Sequence, residues 1–217
     1  MDQIAPISPL ATDTASERRA RILDAAERCF VRAGFHRTTM QDVAAEAAMS
    51  PGNLYRYFKS KDMIVAGLAE RDRAQMTAEF TALSQADDFV AAFAELGRRH
   101  FAEEPRERAI LCLEIWAEAT RNPEFAAMTA EFERDVVSRI SGLVGQAQQR
   151  GAIKGRSDPR AIALVISALA DGLFVRRAIA PSFDPEREIA SIMKVIGALL
   201  DGTVDLNSNN GSSGALS

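Results

Sequence analysis

The sequence is short of the residues on which most catalysis depends. It holds two histidines, His36 and His100, and neither belongs to a His or Cys pair at metal-ligand spacing. It has no C-x-x-C, no glycine loop of the phosphate-cradling kind and no G-x-S-x-G. Enzyme chemistry is therefore poorly supported, and no catalytic residue, cofactor or metal ion is expected. Cys29 and Cys112 each sit in an apolar helical stripe, which suits small reduced hydrophobes better than a disulfide. Long hydrophobic runs are missing too. The longest, AIALVISALA at 161–170, stops at Asp171 and is too short to span a bilayer. The first residues, MDQIAPISPLATDTAS, lack a basic segment followed by an apolar one, so neither a leader nor a membrane partner is expected and the cytoplasm is the expected location. Strand-like alternation and internal repeats are also lacking.

Helix-forming composition is present instead. Aromatics are only 6% of the chain, alanine is abundant, and the eight prolines lie mostly between periodic segments. The 217 residues suffice for one medium domain or two small ones. Net charge is -4, but residues 1–61 hold nine Lys/Arg against seven Asp/Glu, a net of +2, which leaves -6 for the remainder. A mildly basic head thus precedes an acidic body.

The pattern predicts an all-α chain of about nine helices. Residues 1–16 read as a disordered arm and 207–217 as a flexible tail. The first helix covers 17–33, with Ile22, Ala26, Cys29, Phe30 and Ala33 as one apolar stripe and Gly34 as its stop. Two short helices follow within 38–58. Longer ones are expected over 60–83, 87–103, 106–121, 124–150, 160–180 and 186–202. Pro105, Pro123, Pro159 and Pro185 stand near helix starts, where a missing N–H does least harm.

The stretch TTMQDVAAEAAMSPGNLYRYFKSK, residues 38–61, is the most informative. Thr38 with Gln41 has the spacing of a capping box, and Thr39 is an alternative cap. Ser50 can cap the second short helix, with Pro51 at its first position and Met49 and Leu54 as a hydrophobic staple. Leu54 and Phe58 form its buried face. Gly52, Asn53 and Arg56 then point away, with Tyr55 and Tyr57 on the flanks and Lys59 and Lys61 just beyond. Amides and hydroxyls beside cations suit base edges and phosphates in a major groove. Taken singly, each of these residues has a plainer use, the tyrosines as packing and the lysines as a wet turn.

Residues 17–61 resemble the DNA-binding domain of the TetR family of bacterial transcriptional regulators. The resemblance rests on the G-F-x-x-T-T-M start, the A-x-x-A-M-S turn and the run G-N-L-Y-R-Y-F-K-S-K. It implies a three-helix, helix-turn-helix domain at 17–61 and a helical ligand-binding and dimerisation domain at 62–206. It further implies phosphate contacts from Thr38 or Thr39, Tyr55, Tyr57 and Lys61, and positions near bases for Gln41, Pro51, Gly52 and Asn53. Met40 counts as core, and Arg18, Arg19 and Arg21 are additional phosphate candidates.

In the body, the segment 160–180 is apolar nearly all round and must be covered on more than one side. Together with 186–202 it either fills the core of a monomer or builds a four-helix bundle with a second copy, and the family resemblance implies the second. A homodimer of this kind matches two readers to a palindromic operator in double-stranded DNA. A small-molecule effector is expected among Phe93, Cys112, Trp116, Phe125, Met128, Phe132, Asp171 and Phe174, most of which also suit a plain core. Asp171 interrupts an apolar helix and needs a partner, either Arg176, Arg177 or a ligand. The leading expectation is a repressor released from its operator by a small molecule. The competing readings are a small-molecule-binding helical module with a vestigial head, and a helical enzyme.

Overall fold

The structure, a computed structural model, describes residues 14–207. The expected arm up to residue 13 and the expected tail from residue 208 lie outside the described residues. The chain divides into two compact units, Met1–Ile64 and Val65–Ser217. Among the described residues there are nine α-helices, one π-helical turn and no strand, so the chain is all-α.

The first unit holds α1 (Ala15–Ala33), α2 (Met40–Glu46), α3 (Pro51–Tyr57) and the start of α4 (Lys61–Ser84). Helix α1 begins two residues earlier than its apolar period indicates. Thr14 and Glu17 form a capping box, in which the Glu17 N–H donates to Thr14 Oγ1 at 3.2 Å and the Thr14 N–H donates to Glu17 Oε2 at 2.6 Å. The helix ends where Gly34 adopts φ 83° and returns its N–H to the Phe30 carbonyl. Ile22, Ala26, Cys29 and Phe30 are buried, as the stripe requires, while Ala33 is half-buried. Arg28 and Arg32 both reach Glu46 of α2, at 2.8 and 3.1 Å, and these hydrogen bonds hold the Glu46 carboxyl below its usual range.

The second unit contains the rest of α4, then α5 (Phe89–Arg98), the π turn Arg99–Glu103, α6 (Arg106–Ala119), α7 (Pro123–Gln149), α8 (Pro159–Ile179) and α9 (Pro185–Asp201). Proline opens α7, α8 and α9, each behind an Asn or Asp whose side chain accepts a first-turn N–H. Phe93, Val137, Ile140, Val144, Ile162 and Ile166 belong to one continuous core. Full burial of such a side chain contributes about 1.5–3 kcal/mol.

Polar contacts lock the body's ends. The Gly155 N–H donates to the Leu200 carbonyl at 2.8 Å, and a Cβ on Gly155 would lie 2.4 Å from the Leu199 oxygen. Buried Ser157 donates to Asp205 at 2.9 Å and accepts the Leu206 N–H at 2.8 Å. Arg106 donates to the Arg177 and Ala178 carbonyls at 3.1 and 2.5 Å, closing the end of α8. Arg177 in turn donates to the carbonyls of Phe101, Ala102 and Glu104, closing the end of the π turn. The helix expected at 87–103 is thus α only as far as Arg98. No helix among the described residues is long and apolar enough to cross a membrane.

Candidate nucleic-acid interface

Helices α2 and α3 are joined by a turn that makes a left-handed backbone unavoidable. Ala47 ends α2, and Ala48 takes φ 53°, the sole positive φ outside glycine among the described residues. The Ala48 and Met49 N–H groups then reach back to Ala45 and Ala44 at 3.0 and 2.9 Å. That sharp return satisfies the last carbonyls of α2 before α3 begins.

Thr39, not Thr38, caps α2. Its hydroxyl accepts the Asp42 N–H at 3.2 Å while the Asp42 carboxylate accepts the Thr39 N–H at 2.8 Å. The Thr39 hydroxyl and N–H hold the Asp42 carboxyl below its usual range. The Thr38–Gln41 capping box is therefore corrected by one residue. Thr38 is only 2% exposed, and its hydroxyl donates to the carbonyls of Cys29 and Gly34. It ties α1 to the turn before α2, so of the two threonines only Thr39 is exposed. Gln41 is exposed beside it, and Met40 is half-buried.

Helix α3 is short and is fixed from one side. Ser50 accepts the Asn53 N–H at 3.3 Å, and Pro51 occupies the first turn. Leu54 and Phe58 are sealed in, with the Arg19 guanidinium 4.6 Å above the Phe58 ring. Pro51, Gly52, Tyr55, Arg56 and Lys59 are exposed, and Asn53 and Tyr57 are half-buried. A Cβ added to Gly52 meets nothing within 4 Å, so this glycine leaves an open ledge. Lys61 is half-buried, and its ammonium donates to the Phe35 carbonyl and lies over the Phe35 ring.

The body disperses most of the expected effector residues. Phe93 belongs to the core, stacked on Phe89 at 5.9 Å, and Phe125 is fully buried. Cys112 and Met128 are half-buried, and Phe132 lies under the Arg73 guanidinium at 5.9 Å. Trp116 and Phe174 do meet, edge to face at 6.2 Å. None of the eight lines either of two surface clefts. One, of about 360 Å³, lies among Leu83, Phe89, Leu143 and Arg150, and the other, of about 280 Å³, among Gln75, Glu79, Arg99, His100 and Glu103. The sequence reading missed His100. It lines the second cleft and also packs edge to face on Phe101 and Phe174, and burial pushes its pKa down. Nothing in the periodicity signals the π turn that brings it there.

Asp171 is exposed, and of the partners expected for it neither arginine serves: Arg176 pairs with Glu188, and Arg177 donates to carbonyls. Neighbouring helices still remove enough water to raise its pKa, with Glu133 adding to the rise.

A short helix seated behind a capped one, apolar beneath and polar above, defines a helix-turn-helix DNA-binding regulator. The chain belongs to the TetR family: residues 22–68 match the model of bacterial regulatory proteins of the tetR family, and residues 98–201 match that of the BetI-type transcriptional repressor C-terminal domain. It is 32% identical over 139 residues to the HTH-type transcriptional regulator UidR of Escherichia coli K12, which covers 64% of this chain and 70% of UidR. The structure of Salmonella enterica GusR is similar with TM-score 0.73 at 26% identity, over 86% of this chain and 97% of that one. That of Bacillus subtilis FadR in complex with stearoyl-CoA shares the fold, with TM-score 0.70 at 21% identity, over 84% of this chain and 98% of that one.

Proposed function

We propose that this regulator represses transcription as a homodimer on a palindromic operator and leaves it when a small molecule binds the body. The observation that carries the DNA reading is the division of α3, with Leu54 and Phe58 sealed below and Gly52, Tyr55 and Arg56 open above. Thr39, Gln41, Pro51, Gly52, Asn53, Tyr55 and Tyr57 form the contact surface, in which hydroxyls hold phosphates and the α3 ledge faces base edges. The repressor sense is supported by the match to a repressor C-terminal domain.

The dimer is supported by α8 and α9. Leu164, Ile179 and Val195 are 47%, 64% and 50% exposed in the single chain, an apolar face that a second copy covers. The effector reading is supported by the FadR structure, which holds stearoyl-CoA in the same fold. In this chain the Trp116–Phe174–His100 group beside the smaller cleft is the best-placed aromatic surface for an effector. Helix α4 runs unbroken from Lys61 to Ser84 and so links body to head covalently. To turn nearly all dimers from binding to non-binding, an effector must prefer the second state by about 5.5 kcal/mol.

The test is a gel-shift series with DNA from the chain's own upstream region, at several salt concentrations. Tight binding at one site is expected. Combining Thr39→Ala with Tyr55→Phe should weaken it while costing only about 1 kcal/mol of stability through the lost α2 cap, and should leave the salt slope unchanged because neither hydroxyl carries charge. Equal, weak binding to every fragment ends the proposal.

A further inference from the structure

The cations of the first unit are mostly engaged. Arg28 and Arg32 are held by Glu46, Arg37 donates to the Ala33 carbonyl at 2.8 Å, Arg19 lies on Phe58 and Lys61 on Phe35. Arg56 is different. It is exposed in the last turn of α3, and among the described residues it makes no hydrogen bond, ion pair or ring contact.

Its direction is fixed by the helix. At about 100° per residue, Arg56 points about 180° away from the midpoint of Leu54 and Phe58. Those two side chains are sealed against the rest of the unit, so Arg56 is the α3 side chain aimed most directly outward. Gly52 lies one turn before it on the same face and presents no side chain, which lets a duplex approach the helix axis there. Tyr55 and Tyr57 flank this line, nearer to where groove walls run. A long, planar, fully charged group at the centre of an inserted face has base edges in front of it, and its fork matches the O6 and N7 acceptors of guanine.

We infer that Arg56 reads a guanine in each half-site and is a principal determinant of operator sequence. This deepens the proposal above and rests on its reading of the first unit as operator-binding. Lys59, exposed beyond the helix end, is its contrast: a cation placed for the backbone, not for a base.

The experiment uses the full chain to select duplexes from a random pool, then titrates the selected duplex and its single-pair variants. Wild type, Arg56→Ala, Arg56→Lys and Lys59→Ala are compared over a range of salt. For wild type, replacing one G·C pair in each half-site is expected to cost about 10- to 100-fold in affinity. Arg56→Ala should bind those duplexes alike, keep its preferences elsewhere, and leave the salt slope and melting temperature unchanged. Arg56→Lys should keep the charge and lose most of the discrimination. Lys59→Ala should reduce the slope with base preferences intact. The inference is overturned if Arg56→Ala still distinguishes every pair. It is equally overturned if that variant weakens all duplexes evenly while the slope falls, since that is a phosphate clamp. A wild-type chain that enriches no duplex overturns the operator reading, and this assignment with it.

Discussion

The Lys61 ammonium donates to the Phe35 carbonyl at 2.5 Å and sits 4.4 Å from the centre of the Phe35 ring. The charge for which the family resemblance implies a phosphate contact thus also holds the turn that follows α1. Lys61→Ala is expected to lower the stability of the first unit by about 1–2 kcal/mol, the range for a partly exposed charged hydrogen bond with a cation–π contact. Thermal unfolding with and without the change measures this. An unchanged melting temperature together with a reduced salt slope for DNA restores the phosphate role.

Ala48 stands at φ 53°, where a side chain collides with the following carbonyl. Ala48→Gly relieves that strain, at some cost in unfolded-chain entropy. A net gain of roughly 0.5–1 kcal/mol is expected. Urea unfolding monitored by circular dichroism reads it out.

Gly155 has no room for a methyl group, because its Cβ would fall 2.4 Å from the Leu199 oxygen and 2.9 Å from that of Leu200. Both obstacles are backbone and do not swing aside. Gly155→Ala is expected to destabilise the second unit by about 1–3 kcal/mol. Differential scanning calorimetry provides the check, with Gly142→Ala, where a Cβ meets nothing within 4 Å, as control.

His100 gives the body a pH dependence of known sign. Burial holds its pKa below the usual value, with opposing help from Glu79. The folded chain therefore prefers the neutral ring. Stability is complete above about pH 6.5 and is lost as the pH falls through that value toward the folded pKa. Wild type should melt earlier at pH 5.5 than at 7.5, with the slope of one proton taken up on unfolding. His100→Phe keeps an aromatic ring on Phe174 and should remove that part of the slope.

Asp171 works in the opposite direction. Its raised pKa means that ionisation costs stability at neutral pH, and the cost disappears below the ordinary carboxylate range. Asp171→Asn is expected to raise the melting temperature at pH 7 and to leave it unchanged at pH 3.5.

Elements that depend on local pattern were readable in the chain. The apolar period places α1 and α7, prolines behind Asn or Asp mark where α7, α8 and α9 begin, and Leu54 with Phe58 fixes which face of α3 is buried. Those signals act between residues a few positions apart, so order along the chain carries them. Neighbouring alternatives could not be resolved this way. Thr38 and Thr39 both fit a cap, and only the approach of the Cys29 carbonyl, nine residues away, draws the Thr38 hydroxyl inward and leaves the helix end to Thr39.

Contacts between distant segments were decided by the tertiary structure. The engagement of Lys61 with Phe35, the use of Arg177 on the carbonyls of the π turn, and the scattering of the expected effector residues between core, half-buried and exposed positions have no local signature. By itself the sequence determined an all-α chain, with a reader helix that is apolar on one side and polar on the other. Packing alone decided which charges remain free on that reader, because an arginine or lysine is committed by whichever carboxylate, carbonyl or ring the fold brings within reach.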